Sequence, residues 1–281
     1  FYILIIGYLR KNATINIDFL GFFMNQEQWI FFNEFKSSFK QKINEWNIFN
    51  DELMDLQKKA AQNANNVLYS FETPIVYNRD LDKITQNDEI KLIVIGDNPG
   101  KDEQLQKNNR YLVGQAGKLA DSFFKKNPSL NIDFRKNVII LNKTPVHSAK
   151  TNQLKFIIKN ASPELKKMIL ESQIWMAQNT AKLHAGLLQK SNKNNFPELW
   201  LVGYSELKKK GIFEDYKNFL KTEYDSFPLA WEKVFVFQHF SMNRFSIDLN
   251  EHIKKNNLQN QDLFSNIHKL GNIHKAEMFL V

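Results

Sequence analysis

Four short apolar runs, separated by stretches of helical periodicity, constrain this chain more than any other feature. They are residues 91–96 (KLIVIG), 137–142 (NVIILN), 198–204 (ELWLVGY) and 234–238 (VFVFQ). An apolar run of that length, bounded by glycine, proline or asparagine, reads as a strand buried on both faces. Helical spacing covers 26–66, where Trp29, Phe32, Phe35, Phe39, Ile43 and Trp46 recur at i, i+3 and i+4. It returns at 113–126, from Ser162 to about Gln189, over 205–221 with a break at Gly211, and in the tail from Asp248. Strands that alternate with helices pair in parallel, because each connection must cross back over a sheet face. The expected fold is therefore α/β: a single domain with a central, mainly parallel four-stranded sheet flanked by helices on both faces.

No repeat or linker divides the 281 residues. The first 23 are set apart as an ancillary segment, since their apolar start is broken by Gly7 and by Arg10-Lys11, and Met24 opens the first helical stretch. The working domain is expected to be 24–281. No run is long enough to span a bilayer. The chain has no cysteine, which excludes disulfides, thiol catalysis and cysteine-held clusters. The expectation is a cytoplasmic monomer without membrane contact. A formal charge of +8 is compatible with a polyanionic partner.

Chemistry is concentrated where strands end. The first runs into Gly96-Asp97-Asn98-Pro99-Gly100, the second stops at Asn142, and the last continues into Gln238-His239-Phe240-Ser241. In a parallel sheet these ends share the carboxyl edge, where α/β proteins bind ligands. Singly, each has a plain structural reading: an Asx turn for Asn142, a satisfied core histidine for His239. Their recurrence favours a site. There is no Gly-x-Ser-x-Gly elbow and no His-Glu-x-x-His spacing, so neither a serine nucleophile nor a metal is expected. A phosphate loop is also rejected, because the glycines are too close and Asp102 stands where a Ser or Thr would be needed.

Together these pieces resemble the uracil-DNA glycosylase superfamily. Residues 96–100 (GDNPG) are similar to the Gly-x-Asn-Pro-Gly motif of its mismatch-specific and single-strand-selective monofunctional branches. Residues 110–117 (RYLVGQAG) are similar to the Pro-Phe-Val-Gly-x-Ala-Gly segment of the iron–sulfur branches, and 239–241 (HFS) to the His-Pro-Ser motif. Residues 74–78 (PIVYN) resemble the Val-Tyr-Asn that precedes the first motif, and Asn142 the asparagine that reads uracil. The chain departs at Phe240, which replaces proline, at Leu112 in place of the stacking phenylalanine, and in lacking the cluster cysteines.

The resemblance implies a metal-independent monofunctional DNA glycosylase acting in base excision repair on uracil or a related deaminated base. It implies no cofactor, and DNA carrying the damaged base as the partner. Asn98 would position the water, with Asp97 beside it, and His239 would donate to uracil O2. Gly96, Pro99 and Gly100 would shape the pocket, Tyr111 or Leu112 would cover the flipped base, and Asn142 would accept from N3–H and donate to O4. Ser241, Met242, Asn243 and Arg244 would meet DNA and supply the wedge. The alternative is a glycosylase-fold protein that binds DNA or lesions without cleaving them.

Overall fold

The sheet is built from β1 (Leu92–Gly96), β2 (Val138–Asn142), β3 (Glu198–Val202) and β4 (Val234–Phe237) in the order β2-β1-β3-β4, every neighbouring pair parallel. This computed structural model describes residues 24–64, 69–189 and 196–279. The ancillary segment expected at 1–23 lies outside the described residues. Every strand residue is buried, because side chains alternate between two cores. Ile93, Ile95, Leu141 and Leu201 enter one, and Val94, Ile140, Trp200 and Phe237 the other. That explains why the strands read as unbroken apolar runs.

Helices cover both faces. α1 (Gln26–Trp46), α2 (Asn50–Asn63), α4 (Thr151–Asn160), α5 (Pro163–Gln189), α6 (Glu214–Tyr224) and the short α7 (Pro228–Trp231) contribute to the first core. α3 (Gln115–Lys126), α8 (Arg244–Lys255) and α9 (Leu263–Phe279) contribute to the second. The caps follow the local sequence. Asn25 accepts from Gln28 N at 2.9 Å while Gln28 returns the bond to Asn25 N, a capping box, and Ser162 Oγ accepts from Leu165 N at 3.2 Å ahead of Pro163.

Two expectations change. The helix expected over 205–221 does break around Gly211, but its first part is a 3-10 turn (Tyr204–Leu207) and its second, α6, starts only at Glu214. The chain reverses between them at Lys210 (φ 65°), and Gly211 packs so tightly on Glu206 that a Cβ would lie 2.2 Å from its carbonyl oxygen. α4 was not anticipated, and α8 begins at Arg244, four residues before the expected tail helix.

Register sets the site. Gly96 lies beside Asn142 and Val202 beside Phe237, so the four carboxyl ends are nearly level. The chain leaves β1 toward β2 and leaves β3 toward β4, which opens a crevice between the ends of β1 and β3.

Candidate active site

A cleft of about 840 Å³ occupies that edge, lined among others by Asp97, Asn98, Asn142, Gly203, Gln238 and His239. All four strand ends contribute to it. Residues 74–76 run antiparallel to 145–147, with Val76 N donating to Pro145 O and His147 N to Pro74 O, both at 2.9 Å. This fixes the loop after β2 against the segment that precedes β1.

Asn98 is oriented by that loop. Its Nδ2 donates to Ser148 O at 2.8 Å, Ser148 Oγ at 3.0 Å and Pro99 O at 3.1 Å. Carbonyl oxygens only accept, so the amide cannot be flipped, and Oδ1 is left without a partner among the described residues. The Pro99 carbonyl is held again by Ser148 N at 3.1 Å and by His147 Nδ1 at 2.8 Å. His147 is wholly buried, with its Nε2 accepting from Tyr69 Oη at 2.9 Å, and burial pushes its pKa down to about 4. It is a neutral brace for the turn.

Asn142 is 1% exposed, yet its Nδ2 has no partner and its Oδ1 makes no hydrogen bond with the described residues. A buried polar group left open costs on the order of 1–3 kcal/mol, a cost that a ligand can relieve. The amide lies over Gly96, where a Cβ would fall 2.5 Å from Asn142 Oδ1. Gly96 shapes the floor from behind and does not line the cleft.

His239 is half-buried and bonded on one side only. Ser241 N donates to its Nδ1 at 3.1 Å and Ser241 Oγ lies 2.8 Å from the same atom. An N–H donor at Nδ1 fixes the neutral tautomer with its proton on Nε2. Burial, and secondarily the Lys143 ammonium, lower the pKa against the opposing pull of Asp97. The loop keeps this shape with Phe240 in place of proline. Phe240 sits at φ −66°, the value that proline would lock, and its buried ring packs on Phe245 at 4.9 Å. Met242 (φ 52°) and Asn243 (φ 55°) then form a left-handed knuckle that leaves Met242 79% exposed at the rim.

No family model, curated protein or solved structure matches the chain.

Asp97, Asn98, Gly100, Leu112, Asn142, His239, Ser241, Met242 and Arg244 all line the cleft. Of the expected pair Tyr111 or Leu112, Tyr111 does not line it. Its ring is fully buried and its hydroxyl donates to Val76 O at 2.6 Å, as an apolar ring with one polar end requires inside a core. Leu112 takes the wall position, at φ 50°. Arg135 Nη2 donates to its carbonyl at 2.5 Å. Pro99 is buried behind the turn, and Asn243 lies on the knuckle outside the lining.

Other residues were missed. Glu103 lines the cleft although buried, and burial pushes its carboxyl up to about 7 against the Gly100 and Leu112 N–H groups. Gly203 (φ 84°) opens the floor beside Asp97, and Gln238 donates to Tyr204 Oη at 3.2 Å. Lys143 is entirely buried beneath the floor. Gly203 was visible as the glycine closing the third apolar run. Nothing in the spacing marked Glu103 or Lys143.

Proposed function

We propose that this protein is a DNA glycosylase that hydrolyses the N-glycosidic bond of uracil or a related deaminated base in DNA, as a step of base excision repair. One observation carries the reading. Three polar groups line a single cleft with atoms left unpaired among the described residues: Asn98 Oδ1 and His239 Nε2–H, each with its other side hydrogen-bonded, and the Asn142 amide, packed over Gly96.

Each open atom suits one part of the reaction. When the bond from C1′ to the base breaks, the electron pair leaves with the base and positive charge grows on the sugar. A neutral imidazole N–H donates to the charge developing on the base oxygen, the kind of preorganised donor whose loss costs roughly 100- to 1,000-fold. An asparagine amide accepts from N3–H and donates to O4 of uracil, and cytosine presents the reverse pattern. Asn98 Oδ1, a fixed acceptor, holds the water that adds to C1′. Met242 on its knuckle suits the gap left by a flipped base, and the exposed Arg244 beside it suits a phosphate.

The test is cleavage of single- and double-stranded oligonucleotides carrying one uracil, read as alkali-labile abasic product on a gel. Abasic product that depends on the uracil supports the reading. Intact DNA at high enzyme concentration, with binding retained, sinks it in favour of binding without cleavage. One observation favours that second reading: the wall offers the aliphatic Leu112 where an aromatic ring would stack, since Tyr111 is turned into the core.

A further inference from the structure

Lys143 has an unusual setting for a lysine. It follows Asn142 out of β2, and its side chain is 0% exposed beneath the cleft floor. Its Nζ donates to Asp97 Oδ1 at 2.5 Å, to Val202 O at 2.6 Å and to Gly96 O at 3.4 Å, which occupies all three protons of an ammonium. Phe213 closes the apolar side, its ring centre 5.3 Å from Nζ. The backbone N–H of Lys143 donates to Gly96 O at 3.0 Å and Asp97 O at 3.1 Å.

Burying a cation this completely is expensive, and well-packed apolar residues in place of such a pair are often neutral or stabilising. Stability is therefore a poor reason for a lysine here. Asp97 differs from its partner, because it lines the cleft and its Oδ2 has no hydrogen-bond partner among the described residues. The pair is an oriented dipole whose positive end is sealed in the floor and whose negative end faces the cleft. Gly203 completes the arrangement: a Cβ there would meet Asp97 Oδ1 at 2.6 Å and Oδ2 at 3.0 Å.

We infer that Lys143 is a positioning residue that holds the Asp97 carboxylate, with Oδ2 toward the cleft, next to the sugar carbon at which water adds. The inference rests on the glycosylase reading. The charged and titratable groups around the carboxylate are Lys143 below it, His239 after β4, and Glu206 of the 3-10 turn, which acts on Lys143. In the step itself the bond from C1′ to the base breaks with its electron pair on the base. Water held by Asn98 adds to C1′, Asp97 takes one of its protons, and that proton then passes to the base anion. Nothing is oxidised or reduced. Lys143 touches none of the reacting atoms.

A double-mutant cycle tests this. Single-turnover base release is measured for the wild type, Lys143→Met, Asp97→Asn and the double variant, with thermal melting and affinity for an undamaged oligonucleotide as controls. Lys143→Met is expected to slow release by roughly 10- to 100-fold, within the range of proton-transfer contributions, with DNA affinity unchanged. In the Asp97→Asn background the same change should cost less than about twofold, the mark of a residue that acts through another. Gly203→Ala moves the carboxylate without touching the lysine, so it should reproduce the loss and the non-additivity if Lys143→Met does not fold. Equal losses from Lys143→Met, or from Gly203→Ala, with and without the Asp97 carboxylate would overturn the inference and leave the glycosylase reading intact. Absence of release by the wild type would remove the reading, and the inference with it.

Discussion

The side-chain amide of Asn142 lies directly over the α-carbon of Gly96, so close that a methyl group on that carbon would meet Asn142 Oδ1 at 2.5 Å. The two residues are register partners on β2 and β1, so the contact is set by the sheet. Gly96→Ala must push the amide off its position. Displacing a substrate-positioning group by an ångström costs about 100-fold in rate. The expected result is a loss of that order in single-turnover uracil release, with a far-ultraviolet dichroism spectrum like the wild type's. Unchanged release would show that the amide does not read the base.

Asn98 and Ser148 should differ in severity. Asn98→Ala removes the acceptor proposed to hold water, so turnover should fall by roughly 100-fold or more while DNA affinity stays near wild type. Ser148→Ala removes only the hydroxyl at 3.0 Å and keeps the carbonyl at 2.8 Å, so its effect should stay below about tenfold. Losses in rate and affinity that run in parallel would assign Asn98 to structure.

Acid should destabilise the fold through two histidines. His147 and His184 are both buried, and burial lowers each to about 4. His184 donates from Nε2 to Pro197 O at 2.9 Å, and its Nδ1 accepts from Tyr224 Oη at 2.7 Å, so a second ring proton would force the buried Tyr224 hydroxyl to give up its donating role. Between pH 6.5 and 4 the unfolded chain binds protons that the native state refuses. Each contribution is therefore complete above pH 6.5 and lost toward pH 4, by up to about 3 kcal/mol apiece. Glu103, raised to about 7, has the opposite sign between about 4.5 and 7 and offsets part of the loss. Urea unfolding at pH 7 and pH 5 should show lower stability at pH 5. His184→Gln should flatten the slope, and an unchanged slope would refute its share.

Glu103 should also leave a mark on DNA binding. Its carboxyl lines the cleft beside Asp102 and ionises as pH rises through about 7, adding negative charge where the proposed DNA substrate would enter. KM for uracil DNA should therefore rise above pH 7 in the wild type and stay flat in Glu103→Gln. His239 contributes no inflection above 6.5, because its pKa is lowered from that value and the neutral form already holds the working proton on Nε2. A KM profile that is the same in both proteins counts against a role for Glu103.

The alternation of apolar runs with helical spacing was enough to place all four strands, because both sheet faces are buried and the runs are unbroken. Asn98, Asn142 and His239 were legible for the same reason: each stands within two residues of a strand end. The turn after β3 was legible only as a break at Gly211, since Lys210 adopts a left-handed conformation that a lysine does not advertise. Tyr111 and Leu112 could not be told apart, because adjacent residues leave a loop on opposite sides and only the packed core decides which turns inward. Lys143 was invisible for a deeper reason. In composition a lysine counts as solvent-facing, and only the carbonyls of Gly96 and Val202, brought together by sheet order, make its burial tolerable.

Leu112 carries a last consequence. Its carbonyl presses on Gly117 so tightly that a Cβ there would fall 1.5 Å from the oxygen, and Arg135 grips the same atom. That wall is therefore rigidly joined to the first turn of α3. Tyr204, Ser205 and Glu206 of the 3-10 turn also line the cleft. The cleft is thus shaped from outside its own lining: Gly117 and Arg135, neither of which lines it, set the surface that Leu112 presents, so a change at either should be felt inside.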